Sequence, residues 1–516
     1  MFSPFQTEPY VDFSAPEPKA KMQAALEAVS AQLGRTYFPV IGGERVETGD
    51  ISISYNPAQK SQVIGYIHHA TPELAERTVQ VAQEAFKTWA RVPVEVRARY
   101  LVKAAALLRR RIYEFSAWLV LESSKSWLEA YADTAEAIDF LEFYAREAVR
   151  LGQPHPTTPF PGEENEVLYI PIGVGVSISP WNFPLAIMAG MAVSAVVVGN
   201  TLIMKPAEQT PVIAAKFMEL LEEASLPPGV INLLPGNGET VGELLTGHSD
   251  VQFVSFTGSR DVGLHIYQRI ATPQPKQRWL KRAILEMGGK DAIVVDADAD
   301  LDAAAEGVVQ AAFGFQGQKC SACSRLIAHA AIYDTLLEKV VERAKSLTLG
   351  DPFDGKNFMG AVIDEDAYNK ISRYIEIGKT EGRIVLDGSQ ADASEGWFLA
   401  PTIVADVAPN ARIAQEEIFG PVLAVIRAES FDHALEIAND TDYGLTGAVF
   451  SQSRVHLERA RNEFMVGNLY LNRKCTGALV DVQPFGGFRM SGTDSKAGGR
   501  DYLHHFVLAK SVSERW

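Results

Sequence analysis

Cysteine is scarce in this chain: three in 516 residues, at positions 320, 323 and 475. So few thiols exclude a disulfide framework and point to a reducing compartment, read here as the cytoplasm. Cys320-x-x-Cys323 has no second pair, and no histidine cluster has ligand spacing, so no metal centre is expected. Positive charge is also short. Against 64 Asp and Glu stand 48 Lys and Arg, a formal charge of −16, which argues against a nucleic-acid partner. No basic region followed by an apolar run opens the chain, so no secretory signal is read. One uncharged stretch, 185–204, has the roughly twenty residues a membrane span needs. Pro184 suits a helix start and Gly199-Asn200 stops that helix, while 201–204 reads as a buried strand. The run is therefore core helix plus core strand, and no membrane partner is expected.

What is present is a chain too long for one ordinary domain, with 47% apolar residues to build cores. Helical periodicity covers 19–33, 72–89, 94–125 and 127–151. A small hairpin is expected over 37–46, around Gly42-Gly43, and further strands over 51–67. Beyond a proline-rich stretch at 153–161, strands at 167–170, 174–179, 202–205, 231–234 and 253–257 alternate with helices at 211–224 and 239–246. That alternation predicts a doubly wound parallel sheet with helices on both faces. A second alternation begins at Ala283, with strands at 283–285, 292–295, 325–329, 402–404 and 422–427 and helices at 300–313, 331–346 and 365–381. A domain boundary near Lys281 follows. The terminal stretch from Phe506 is strand-like, with nothing to pair with nearby in sequence, so pairing with another subunit is expected.

The most pointed stretch is Phe313-Gly-Phe-Gln-Gly-Gln-Lys-Cys-Ser-Ala-Cys-Ser324. Cys320 closes a glycine-rich bend between a helix and a strand, which exposes a thiol at a fixed angle, as a nucleophile requires. A free cysteine is equally at home as a small buried hydrophobe. Glu286, at a strand end before two glycines, reads either as a general base whose pKa a dry pocket raises or as a solvated rim charge. Asn182, in Pro180-Trp-Asn-Phe-Pro184, reads as an oxyanion donor or a helix cap. Three further strand ends suit a dinucleotide: Lys205-Pro-Ala-Glu208, the glycine-rich run 235–242, and Phe256-Thr-Gly-Ser259. Ligands of parallel sheets gather at such carboxyl ends.

Together with Glu286-Met-Gly-Gly-Lys290, Glu416-Glu-Ile-Phe-Gly-Pro421 and Pro484-Phe-Gly-Gly487, these segments, in this order, resemble the aldehyde dehydrogenase superfamily over nearly the whole chain. Met287, where leucine is common, is a mild departure. The resemblance implies an α/β fold of two doubly wound parallel-sheet domains plus a β-strand oligomerisation arm. Residues 1–155 and 171–281 would bind NAD, 282–477 would carry the nucleophile, and the chain after about 478 would partly return to the first domain. Residues 156–170 and 502–516 would be oligomerisation strands of a homodimer or larger homo-oligomer. It further implies that the Cys320 thiolate attacks an aldehyde, that Asn182 and the Cys320 amide hold the oxyanion, and that Glu286 activates the hydrolytic water. Lys205 and Glu208 would bind the adenine ribose. Gly238, Gly258 and Ser259 would flank the adenosine and pyrophosphate, Glu417 the nicotinamide ribose, with Trp181 and Phe419 completing the cofactor site. An acid at Glu208 repels a 2′-phosphate, so NAD is expected over NADP.

Within the superfamily, Cys320-Ser321, Arg473-Lys-Cys-Thr-Gly-Ala478 and Ala132-Asp-Thr-Ala-Glu-Ala-Ile-Asp-Phe140 resemble the members that oxidise L-glutamate γ-semialdehyde, derived from 1-pyrroline-5-carboxylate, in proline degradation. That implies that Ser321, Gly477 and Ala478 hold the substrate α-carboxylate, Glu136 its ammonium, and Phe485 its aliphatic chain. Cys323 departs from the small non-thiol residue expected there, and a protective or inactivating disulfide with Cys320 is one expectation. Three other readings stay open: another semialdehyde such as succinate semialdehyde, a cofactor-free thiol hydrolase, and a silent NAD-binding scaffold.

Overall fold

The computed structural model describes residues 3–516. Its frame is a pair of seven-stranded sheets. In the first, strands Arg282–Glu286, Phe253–Thr257, Val174–Ile178, Thr201–Lys205 and Ile231–Leu233 lie side by side and parallel. The short hairpin Val40–Ile41/Glu44–Arg45 adds two antiparallel strands at the edge, turning at Gly42-Gly43, both with positive φ. In the second, strands Thr402–Ala405, Val422–Ala428, Cys323–His329, Asp291–Val295, Thr446–Phe450 and Asn468–Leu471 run parallel, and Arg383–Leu386 closes one edge antiparallel.

Both faces of each sheet are covered, as the near-continuous apolar strands require. On the first sheet, one face packs the helices Val94–Arg110, Ile112–Ser123, Trp127–Leu151, Ala186–Val197 and Pro211–Glu223, and the other packs Pro72–Trp89 and Arg260–Ala271. The second sheet is sandwiched by Leu301–Phe313 and Tyr333–Lys345 on one side and Glu365–Glu381 and Phe431–Asn439 on the other. The uncharged stretch forms a buried helix, Ala186–Val197, and a buried strand, Thr201–Lys205. Among the described residues no helix is long and apolar enough to cross a membrane.

Two expectations from the sequence are corrected, and the terminal strand gains a partner within the chain. The strand at Arg282–Glu286 pairs in register with Phe253–Thr257, so it is the edge of the first sheet and not the start of the second alternation. Its apolar pattern does not encode its neighbour. The helix expected over 94–125 is two helices, Val94–Arg110 and Ile112–Ser123. At Arg111, φ −108° and ψ 18° break the helix, and its amide is shared between the Leu107 and Leu108 carbonyls. The terminal strand Val507–Arg515 pairs antiparallel with Glu163–Pro171 of its own chain, from Val507 opposite Pro171 to Arg515 opposite Glu163. A partner more than 330 residues back is invisible in local sequence. Asn200 Nδ2 fixes the root of this arm by donating to the Phe506 carbonyl at 2.8 Å, and Arg282 Nη1 donates to the carbonyls of His504, His505 and Val507.

Candidate active site

The helix Leu301–Phe313 breaks into three successive left-handed residues, Phe315, Gln316 and Gly317, with φ of 49°, 57° and 67°. A Cβ on Gly317 would meet the Gly420 carbonyl oxygen at 2.4 Å, so the turn requires glycine. Gln316 pins the bend by donating from Nε2 to the carbonyls of Ser124 and Ala361, and Gln318 Oε1 accepts from the Ile363 amide. Cys320 emerges half-buried just ahead of the strand Cys323–His329. The amino ends of the second sheet thus face the carboxyl ends of the first, where Asn182 and Glu286 lie. Asn182 is buried and donates from Nδ2 to the Gln318 carbonyl at 3.2 Å.

Cys320 stands where two cavities meet. The larger, about 450 Å³, lies over the carboxyl ends of the first sheet and is lined by Trp181, Asn182, Gly258, Ser259, Glu417 and Phe419, among others. The smaller, about 160 Å³, is lined by Glu136, Glu286, Ser321, Gly477, Ala478 and Phe485, among others. Cys320 lines both. The five residues expected to hold the substrate are therefore brought together with the thiol, although they come from three separate stretches of chain.

Electrostatics at the junction favour neutral resting groups. Burial pushes the Cys320 thiol well above its ordinary value, and the carboxyls of Glu286, Asp291 and Glu417 push it the same way. Glu286 is also raised well above a normal carboxyl, first by burial. Lys496 opposes that rise and Asp494 adds to it. Both its oxygens are buried, which suits a general base tuned by desolvation.

On the cofactor side, Glu208 Oε1 accepts from the Gly238 amide at 3.0 Å and lies 3.9 Å from Lys205 Nζ. That ammonium is buried, and its contact with the Pro206 carbonyl is long, at 3.5 Å. Ser259 caps the helix Arg260–Ala271, accepting from the Val262 amide. Glu417 accepts from the Gly289 amide at 3.0 Å, while Trp181 stacks edge-on against Phe419 at 5.3 Å. An under-bonded cation beside an acid, a capped helix N-terminus and a deep carboxylate, strung along one set of strand ends, suit an adenine dinucleotide.

The sequence reading missed two features. Lys319, one residue before the thiol, bonds Glu129 at 2.6 Å inside the smaller cavity. The available signal was spacing: Glu129 and Glu136 are seven residues apart on one helix and so share a face. Tyr10 lines the same cavity from an irregular N-terminal segment held by the Glu8 amide on Asp139 and by Phe5 against Phe143. No local pattern marks it. The expected Cys320–Cys323 disulfide is corrected as well. All three cysteines are free, and Cys323 turns into the core of the second sheet, toward the Arg325 carbonyl and Cys475. The strand that starts at Cys323 alternates its side chains and aims this one inward.

This geometry belongs with a matching family. The profile of the aldehyde dehydrogenase family covers residues 46–512, and the chain belongs to that family. More narrowly, it is 60% identical over 514 residues to 1-pyrroline-5-carboxylate dehydrogenase of Geobacillus thermodenitrificans, covering 100% of both chains. It superposes on the NAD-bound 1-pyrroline-5-carboxylate dehydrogenase from Thermus with a TM-score of 0.98, at 53% identity and full coverage of both. Proline utilization A from Bdellovibrio bacteriovorus superposes equally well, with a TM-score of 0.98 at 46% identity, covering 99% of this chain and 53% of that one.

Proposed function

We infer that this protein oxidises L-glutamate γ-semialdehyde, the open form of 1-pyrroline-5-carboxylate, to L-glutamate in proline degradation, with NAD as oxidant. The observation that carries this reading is Cys320 at the junction of two cavities, one suited to a dinucleotide and one lined by groups for an amino acid. Ser321, with the Gly477 and Ala478 amides, receives the α-carboxylate. Glu136 faces the α-ammonium, and Phe485 packs on the aliphatic chain. The aldehyde carbon then rests at Cys320.

Deprotonated Cys320 adds to that carbon, and the new oxyanion is held by Asn182 Nδ2 and the Cys320 amide. NAD, when bound, supplies a positive ring near the thiol and accepts the hydride. The residual thioester is hydrolysed by a water from which Glu286 takes a proton, and glutamate leaves as Cys320 is regenerated. In balance, aldehyde, NAD and water give carboxylate, NADH and protons. Lys205 and Glu208 hold the adenine ribose beside Gly238. Gly258 and Ser259 face the phosphates, and Glu417, Phe419 and Trp181 enclose the nicotinamide end. We place NAD binding on the first sheet and the thiol on the second.

Assembly as a homodimer or larger homo-oligomer is supported by exposed apolar groups on one region of the first domain. Leu280 is 87% exposed, and Trp279, Tyr267 and Leu264 are also exposed. A cytoplasmic setting agrees with three unpaired thiols. The test of the substrate is NADH formation with 1-pyrroline-5-carboxylate beside a panel of semialdehydes. A kcat/KM at least about 100-fold above that for succinate semialdehyde is expected, since the latter has no ammonium for Glu136 and its carboxylate lies one carbon nearer the aldehyde, short of the Ser321, Gly477 and Ala478 anchor. Equal values would overturn the reading.

A further inference from the structure

Lys125 and Asp133 are both fully buried, their charged atoms 3.3 Å apart, and neither lines either of the two cavities that meet at Cys320. Full burial of an ion pair carries a desolvation cost that packing alone does not require. What they touch gives a reason. Lys125 Nζ lies 3.9 Å from the centre of the Phe183 ring and 4.2 Å from that of Phe315. The rings meet edge to face, with centres 6.3 Å apart. Phe183 directly follows Asn182, and Phe315 opens the left-handed bend that ends in Cys320.

Asp133 completes the link. Its Oδ1 accepts from the Ala186 amide at 2.7 Å, at the start of the helix that follows the Asn182 loop. Beside Lys125, the Ser124 carbonyl accepts from Gln316 Nε2 at 3.1 Å, and Ser124 Oγ accepts from the Ala361 amide at 2.8 Å. One buried cation therefore grips the loop bearing the oxyanion donor and the loop bearing the nucleophile, each through an aromatic face. A cation over two faces of desolvated rings is a directional contact, unlike ordinary apolar packing.

We propose that Lys125, held by Asp133, is a positioning residue that sets the distance between the Asn182 amide and the Cys320 thiol, and so builds the oxyanion site. It touches neither substrate nor cofactor. This rests on the reading of Cys320 and Asn182 given above.

The test separates oxyanion chemistry from thiol exposure. Iodoacetamide alkylates Cys320 by displacement and forms no oxyanion, whereas the burst of NADH in a single turnover, with enzyme in excess of substrate, requires one. The purified full-length double variant Lys125→Met/Asp133→Asn removes both charges while keeping an acceptor for the Ala186 amide. Its burst rate is expected to fall at least about tenfold, a part of the loss seen when a whole oxyanion donor is removed, with alkylation within about twofold of wild type. Phe315→Leu, at a residue that lines neither of the two cavities, keeps the ion pair and removes one ring face. It is expected to give a smaller fall of the same kind, and it reports even where the double variant does not fold. A normal burst in Phe315→Leu, or burst and alkylation falling together in either variant, would overturn the proposal. Absence of NADH formation in a single turnover of the wild type would instead overturn the reading of Cys320.

Discussion

Asn182 Nδ2 donates to the carbonyl oxygen of Gln318 at 3.2 Å, which ties the loop after the third strand of the first sheet to the bend that carries Cys320 two residues later. The amide is buried, and it faces the bend without being part of the same element. A second N–H of the same group is free to meet an oxyanion. Replacing Asn182 with Ala should therefore lower kcat by about 100-fold or more and change KM little, since the donor acts on charge that develops only in the transition state. Steady-state kinetics at saturating NAD measures both.

Glu136 should make substrate binding depend on pH. Burial, with the Asp133 and Asp139 carboxyls beside it, pushes its pKa up to about 8. Below that pH it is protonated, and an incoming α-ammonium must expel the proton to gain a carboxylate partner. KM should fall as pH rises toward 8, approaching about tenfold per unit on the acid side, and level off above it. The Glu136→Gln variant should bind more weakly and lose that slope. An unchanged slope in the variant would assign the dependence to another group.

Cofactor choice should turn on Glu208. Its carboxylate, beside the Gly238 amide and Lys205, occupies the region assigned to the adenine ribose. A 2′-phosphate there would meet like charge. Glu208→Gln should raise kcat/KM with NADP by about tenfold while weakening NAD use. The ratio of the two efficiencies is the measured quantity.

The terminal arm has its own weak point. Arg282 Nη1 serves three carbonyls at the root of the strand Val507–Arg515. Arg282→Ala leaves those acceptors short of a cationic donor and should cost about 2 kcal/mol, read as a lower thermal midpoint. Truncation after Phe506 should cost more, because it also leaves Glu163–Pro171 without its longer partner strand.

Much of the site was legible because its chemistry sits in short runs. The Gly317-Gln-Lys-Cys320 bend, the strand-end Glu286 and Asn182 each left two readings open by local rules of turns and caps, and only their joint resemblance to a family singled them out. The parallel sheets followed from alternating strand and helix patterns. What stayed hidden depends on long-range pairing. The terminal strand finds its partner across the whole chain, and the strand Arg282–Glu286 joins the first sheet by an edge that its own residues do not encode. Lys125 looked like the last residue of a helix. Its role depends on two phenylalanines 58 and 190 residues further along the chain. Cys323 illustrates the opposite error: proximity in sequence to Cys320 suggested a bond that strand alternation turns away.

The most direct measurement uses the Glu286→Gln variant with 1-pyrroline-5-carboxylate and NAD. Without the base, deacylation should stall after hydride transfer. A burst of about one NADH per active site should appear, followed by slow turnover, and mass spectrometry of the quenched enzyme should find the glutamyl thioester on the peptide containing Cys320. No burst, or an acyl group on any other residue, would contradict the assignment of Cys320 as nucleophile and Glu286 as base.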